Sequence, residues 1–462
     1  MANGGAASRG PPDGSPAALV QQPLLHAYEA RKEDPAACDG EAHGFGPAEP
    51  DGGASFVRTC FNGLNGLSGV GLLSIPYALS EGGWLSLALL LVVAAVCCYT
   101  GLLLQRCMDA SPAVRGYPDI GALAFGRGGR LAASAFLYAE LYLVAIGFLI
   151  LEGDNLDKLF PGTSLSLGLG LGDGGAALLV VSGKKLFVVL VALVILPTTW
   201  LRSLGVLAYV SASGVLASAV VVVCVLWTAV ADGVGFHARG RMLNVSGLPT
   251  ALGLYTFCYC GHAIFPTLCN SMKEKKRFSR VLVICFVLCT LNYGSMAILG
   301  YLMYGDDVKS QVTLNLPEGK IGSKLAIYTT LINPFSKYAL MVTPLATAVE
   351  ERLQLAAGSG SGSGRGSSSK RSVNVLVRTL LVVSTVVVAI AVPFFGHLMA
   401  LVGSLLSVMA AMLLPCIFYL KIFGVARCSR AEVALIATII VLGSVVAAAG
   451  TYASVKKIVL DY

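Results

Sequence analysis

The sequence predicts an all-α integral membrane protein with eleven transmembrane helices. Three observations carry that expectation: a surplus of apolar residues, their grouping into runs long enough to cross a bilayer, and the lopsided placement of Lys and Arg between those runs. Of 462 residues, 56% are hydrophobic and 13% are charged, and the mean hydropathy is +0.76. A soluble domain carries about 25% charged residues. This chain therefore has too little polar surface to cover a water-facing globule, and too much apolar surface to be disordered over most of its length.

A hydrocarbon core of ~30 Å takes about 20 apolar residues as helix. Eleven segments qualify, at 56–79, 84–106, 131–151, 183–199, 204–230, 248–269, 281–303, 325–349, 375–396, 398–420 and 432–455; they are called spans one to eleven. The fourth is the shortest and ends in Pro197. The ninth and tenth are separated by little more than FFGHL (394–398), where the helix count is easiest to misread.

Residues 1–55 are rich in Gly, Ala and Pro, with no apolar run near Met1 to act as a signal peptide. They read as a disordered cytosolic tail. Pro23-Leu24-Leu25 is either a sorting signal for an internal membrane or plain tail; the acidic residue expected four positions before the first leucine is replaced by Val20. A second low-complexity stretch, GSGSGSGRGSSSKRS (358–372), reads as a flexible linker between spans eight and nine.

Orientation follows from Lys and Arg. With the N-terminus in the cytosol, the cytosolic segments collect 22 of the 33 basic residues and the lumenal segments ten, while Lys337 lies inside a span. The densest group, KEKKRFSR (273–280), then falls in the cytosol. The formal net charge of +8 is thus a topology signal rather than a nucleic-acid patch. The glycosylation triplet Asn244-Val245-Ser246 falls on the lumenal side in this threading. The long lumenal loops contain no cysteine, so no lumenal disulfide framework is expected. Cys258 and Cys260 have no further soft ligands near them in sequence and read as packing cysteines. No metal and no cofactor are expected. HExxH and GxSxG motifs are lacking, which leaves an integral-membrane enzyme without support.

The informative feature is where helix breakers sit at membrane depth. Span one reads NGLNGLSGVGLLSIPYAL (62–79), with Gly63, Gly66, Gly69 and Gly71 followed by Pro76; span six reads YTFCYCGHAIFPTL (255–268), with Gly261 followed by Pro266. Glycine costs a helix about 1 kcal/mol and proline about 3 kcal/mol. Broken backbone is tolerated in hydrocarbon only where it lines a cavity. Interruptions at corresponding places in two halves point to a transporter's binding site. The half-helix after each break offers N–H groups and a positive dipole end, which suits a carboxylate; the half-helix before it offers carbonyls, which suit an ammonium or a metal cation. An amino acid carries both charges on one carbon. Close helix packing is the other use of such glycines.

The runs NGLSGVGLLSIPYAL (65–79), YLVAIGFLILEGDNL (142–156), YCGHAIFP (259–266) and NPFSKYAL (333–340) together resemble the amino acid/auxin permease family. The resemblance is greatest to its vacuolar amino acid transporter branch, related to the vesicular inhibitory amino acid transporters, and covers about residues 55–455. It implies a leucine-transporter-like fold of five-plus-five inverted repeats, here 56–230 and 248–420, with an extra C-terminal helix at 432–455. It also implies proton-coupled movement of amino acids, often across the vacuolar membrane. Residues 65–71 match the family's unwound first helix and 259–263 its unwound sixth. The expected substrate-binding residues are accordingly Asn65, Ser68, Gly69, Val70, Gly71, Tyr259, Gly261, His262 and Ala263.

Two charges lie at mid-span, Glu140 in span three and Lys337 in span eight. Each must face a cavity or a partner. They are read as the proton-coupling pair, with Lys337 able to take the place of a sodium ion in sodium-coupled relatives; the competing reading is a structural ion pair. His262, beside the second break, suits proton exchange or is simply satisfied by freed carbonyls. Glu152, Asp154 and Asn155 either form a cation vestibule or end span three in water. Asn333 and Ser336 can re-pair groups freed by the Pro334 kink, and Thr329, Thr330 and Ser336 keep a sodium-ligating site open. The resulting expectation is a monomeric, multi-pass secondary transporter of neutral amino acids, exchanging lumenal protons for cytosolic substrate at the vacuolar membrane. A Na+- or H+-coupled symporter at the plasma membrane and a non-transporting amino acid sensor are the alternatives.

Overall fold

A computed structural model describes residues 53–171, 175–200, 207–358 and 367–461. Residues 1–52 of the predicted tail, with Pro23-Leu24-Leu25, and 359–366 of the predicted linker lie outside the described residues; Ala54 pairs with Met272, and the described ends of the linker, Gly358 and 367–372, are helical rather than flexible coil. Among the described residues, helix occupies most of each predicted span. By length and composition, seven of the described helices are long and apolar enough to cross a membrane, and a shorter apolar helix covers Gly214–Val230.

Span one is two half-helices, Phe56–Leu67 and Gly71–Gly82. Span two is Ser86–Asp109. A single 43-residue element, Tyr117–Leu159, contains span three. It turns a corner at Phe125 and at Gly126, whose φ of 62° only glycine adopts without strain. Asp119 and Arg130 pair across that corner. Spans four and five are Gly183–Trp200 and Leu207–Val230. Span six is Leu248–Tyr259, a 3-10 turn at His262–Ile264, and Phe265–Asn270. Span seven is Phe278–Tyr304. Span eight is Ile321–Gly358, with Pro334 and Pro344 inside it. Spans nine and ten are separate helices: Ser367–Ala391 ends just before Pro393, and the next begins at Phe395. Span ten turns π-helical over Val402–Ser407 and Met409–Leu413. The last helix is Arg430–Leu460.

Two features depart from expectation. Strands β1 (Ser164–Leu171) and β2 (Gly175–Ser182) form an antiparallel hairpin between spans three and four, so the chain is not purely helical. Span three also runs past Glu152, Asp154 and Asn155 instead of ending there in water, and Glu152 and Asn155 are wholly buried.

The ends of the helices agree with alternating passage. Arg106, Tyr419 and Glu432 meet at one end. Glu81 meets Lys457 at the other, where His397 also meets Asp461. Deeper in, Arg378 of span nine pairs with Glu350 of span eight (2.9 Å) and donates to the Thr199 carbonyl of span four (2.6 Å). Breaking a buried pair on one side leaves an uncompensated charge and costs about 3–5 kcal/mol. Glu350→Met or Arg378→Met alone should lower the thermal midpoint in detergent well below that of the parent. The double replacement should recover part of the loss.

Candidate functional site

Both predicted interruptions exist and they lie against each other. The first occupies Ser68–Val70, where Ser68 leaves helix at φ −79°, ψ 90°. The second occupies Cys260 (φ −79°, ψ 103°) and Gly261 (φ −137°, ψ 8°). Three glycines let the two spans cross in contact. A Cβ on Gly71 would lie 2.7 Å from the Cys258 Sγ and 3.3 Å from its Cα. One on Gly261 would lie 2.7 Å from Leu67, and one on Gly66 would run into Ile264. Gly69 differs: nothing stands within 4 Å of its Cβ position, so open space adjoins the first break. Ala263 and Cys260 are half-buried beside the second break. Val70 is buried.

The carbonyls at the breaks are taken up by two other spans, and a third holds the Ser68 side chain. Lys337 Nζ of span eight donates to the carbonyls of Asn65 (3.1 Å) and Ser68 (3.0 Å). Tyr293 OH of span seven lies within hydrogen-bond distance of the Leu67 carbonyl (2.5 Å) and the Cys258 carbonyl (3.2 Å), so a single hydroxyl spans both breaks. Ser68 Oγ donates to Ser218 Oγ of span five (2.8 Å). A helix C-terminus carries partial negative charge, and the Lys337 ammonium sits where that charge of the first half-helix is concentrated. The half-helix that begins at Gly71 starts at the same break, with the Leu72 and Leu73 amides turned back onto the Gly69 (3.3 Å) and Val70 (3.1 Å) carbonyls. Asn65 Oδ1 is buried there without a hydrogen-bond partner.

Glu140 and Lys337 are 8% and 7% exposed and are not each other's partners. Glu140 Oε1 accepts from Ser407 Oγ of π-helical span ten (2.6 Å). Its carboxyl also neighbours the Cys260 side chain at the second break. Each mid-span charge thus addresses a different interruption, Lys337 the first and Glu140 the second, and the simple ion pair does not form.

The other expected residues are placed as follows. His262 is fully buried, its Nε2 3.0 Å from both Thr100 Oγ1 and the Cys97 carbonyl of span two. Its Nδ1 has no partner, and its ring packs on Phe265. Tyr259 turns its hydroxyl to Thr290 of span seven (3.0 Å) and its ring to Phe286 and Tyr293. Thr330 is spent on the Ala326 carbonyl of its own helix. The side chains of Asn333 and Ser336 lie outside those described. No cluster of three metal-ligating side chains occurs among the described residues. Tyr293, Ser218 and Ser407 were not foreseen. Tyr293 follows Asn292 and precedes Gly294 in an otherwise apolar run, a polar interruption that gave a usable signal; Ser407 gave none, because π-helical turns re-aim it.

Two interrupted helices crossing at half depth, their freed carbonyls held by a lysine and a tyrosine, define the class of membrane carriers with a discontinuous-helix binding site. The family model described as transmembrane amino acid transporter protein matches residues 52–456, and the chain belongs to that family. Amino acid transporter AVT1I of Arabidopsis thaliana is 49% identical over 409 residues, covering 88% of this chain and 96% of the relative. Amino acid transporter AVT1J of the same plant is 49% identical over 411 residues, covering 88% and 92%. Among solved structures, a Na+-coupled sialic acid symporter matches with a TM-score of 0.52 at 13% identity, covering 86% of this chain and 89% of that one. At that identity the likeness is one of fold, and the fold is leucine-transporter-like.

The Gly71–Cys258 contact leaves no room for a methyl group against the Cys258 Sγ. Gly71→Ala should destabilise the protein by about 1–3 kcal/mol, read as a lower thermal midpoint. Gly69→Ala, facing open space, should leave that midpoint unchanged while altering substrate affinity.

Proposed function

We propose that the chain is a proton-coupled carrier of neutral amino acids working by alternating access, with the two repeats 56–230 and 248–420 rocking about a substrate held at the breaks. The substrate carboxylate meets the positive dipole end of the half-helix that begins at Gly71. The ammonium meets remaining carbonyls and Asn65 Oδ1, which is buried and unpaired. Small residues around the opening, Ser68, Gly69, Cys260 and Ala263, suit a medium or large side chain.

The observation that carries proton coupling is the Lys337 ammonium on the Asn65 and Ser68 carbonyls. Backbone carbonyls at the end of a broken half-helix are the groups that take coupling cations in such carriers. Here a side chain of the protein fills them, and that side chain can itself release and regain a proton. Losing the proton removes the charge that caps the first half-helix. Glu140 addresses the second break through Cys260, which gives the cycle a carboxyl partner at the other interruption. With the N-terminus in the cytosol and an acidic vacuole, a lumenal proton exchanges for a cytosolic amino acid.

Uptake of labelled amino acids into proteoliposomes with an imposed pH gradient tests this. The parent should accumulate substrate when the compartment corresponding to the lumen is acid. Lys337→Met and Glu140→Gln should abolish the response to the gradient, with Glu140→Gln keeping counterflow exchange. Uptake that follows a sodium gradient instead would select the symporter reading, and the absence of counterflow in the parent would select a sensor.

A further inference from the structure

We propose that Glu152 is a second proton-carrying carboxyl, buried at the lumenal end of span three beside Asn155, and that it loads from the lumenal side separately from Glu140. The proposal rests on the proton-coupled reading and extends it to a site one end away from the breaks. Glu152 is 0% exposed, and neither of its carboxylate oxygens has a hydrogen-bond partner among the described residues. Asn155 lies one turn on, on the same side of the helix, and is equally buried. Its Nδ2 is used on the Leu151 carbonyl (2.8 Å) and Gln311 Oε1 (2.7 Å), while its Oδ1 is unpaired.

The neighbouring cations are already engaged. Lys184 of span four pairs with Asp154 (2.5 Å) and donates to the Pro393 carbonyl (2.8 Å). Lys158 donates to the Thr313 and Leu316 carbonyls of the loop that follows span seven. Gln311 of that loop closes the group by donating to Asp154 Oδ2 (2.9 Å). The other charged or titratable groups on the surrounding elements are Asp157 on the same helix, Lys185 on span four, Asp306, Asp307, Lys309, Glu318 and Lys320 between spans seven and eight, Lys324 at the start of span eight, and His397 at the start of span ten. None of them forms an ion pair with Glu152.

What remains at the centre is a set of acceptors: two carboxylate oxygens and an amide oxygen, with no donor aimed at them. An isolated buried carboxylate is costly enough that the group neutralises itself instead. One proton completes this set, because it turns a carboxylate oxygen into a donor while the other oxygen stays uncharged. A metal ion needs an oxygen shell from several directions, whereas these orphan acceptors lie on one helix face. The loop from Gly305 to Leu316 lies over this end and is fastened to it by Gln311 and Lys158. Protonation here is therefore placed to act where the lumenal loop meets span three.

The test uses purified full-length protein in liposomes, with Glu152→Gln, Glu152→Asp and Glu140→Gln. Infrared difference spectroscopy across a pH titration reads protonated buried carboxyls directly. Glu152→Gln should remove one such band that Glu140→Gln retains. Glu152→Gln should also keep counterflow and lose the dependence of uptake on lumenal pH, and Glu152→Asp should keep that dependence. An unchanged band pattern and an unchanged pH profile in Glu152→Gln would overturn the proposal. So would loss of counterflow in both Glu152 variants, which would make the residue structural. If the parent shows no pH-driven uptake while the band is still lost in Glu152→Gln, the transport reading fails and the protonation site stands.

Discussion

Peptide groups released inside an apolar medium must be given partners, and this requirement organises the centre of the molecule. An unpaired N–H or C=O in hydrocarbon costs several kcal/mol. Two interruptions of two to three residues each would be prohibitive if they faced lipid. Instead they face each other, and spans five, seven and eight each send one side chain to them. Tyr293 ties the two interruptions to one hydroxyl, so a change in one is felt at the other. The helices around the breaks are thus oriented by backbone chemistry, with side chains supplying the partners.

Packing makes that arrangement possible. Glycines at 66, 71 and 261 bring the crossing half-helices into close contact, and Gly253 against Gly403 brings backbone to backbone between spans six and ten. The close approach at Gly403 falls in the π-helical stretch of span ten, and Ser407 in that stretch reaches Glu140. Wider helical turns are frequent at functional sites, and here they aim a hydroxyl at a carboxyl buried in the membrane.

Much of this was legible in the sequence because it rests on local rules. Runs of apolar residues fix where helices lie, and Gly with Pro at membrane depth marks where they fail. Both breaks fall inside 65–71 and 259–263. Glu140 and Lys337 were visible as isolated charges. Their partners were not, because Ser407 lies 267 residues from Glu140 along the chain, and no spacing rule spans such a distance. Tyr259 and His262 show the same limit. Sequence places them at the second break, but which neighbour each side chain reaches depends on how spans seven and two pack around it. The hairpin β1–β2 escaped notice because the alternation in SLSLGLGL is short and interrupted by glycine. The helical run past Glu152 escaped it because polar residues ordinarily mark a helix end in water, and here the loop carrying Gln311 covers them.

The last helix is fastened to the second half of span one. Lys457 holds both carboxylate oxygens of Glu81 at 2.8 Å, and Glu81 also accepts from Tyr77. That half-helix begins at the first break, so any outward swing of it must open this latch. The pair is partly exposed, and ion pairs in such settings are worth about 1 kcal/mol or less. It is strong enough to bias a resting position and weak enough to yield to thermal motion. Because mobile counterions screen exposed pairs, ionic strength on that side of the membrane becomes a dial on how readily the gate-side half-helix moves.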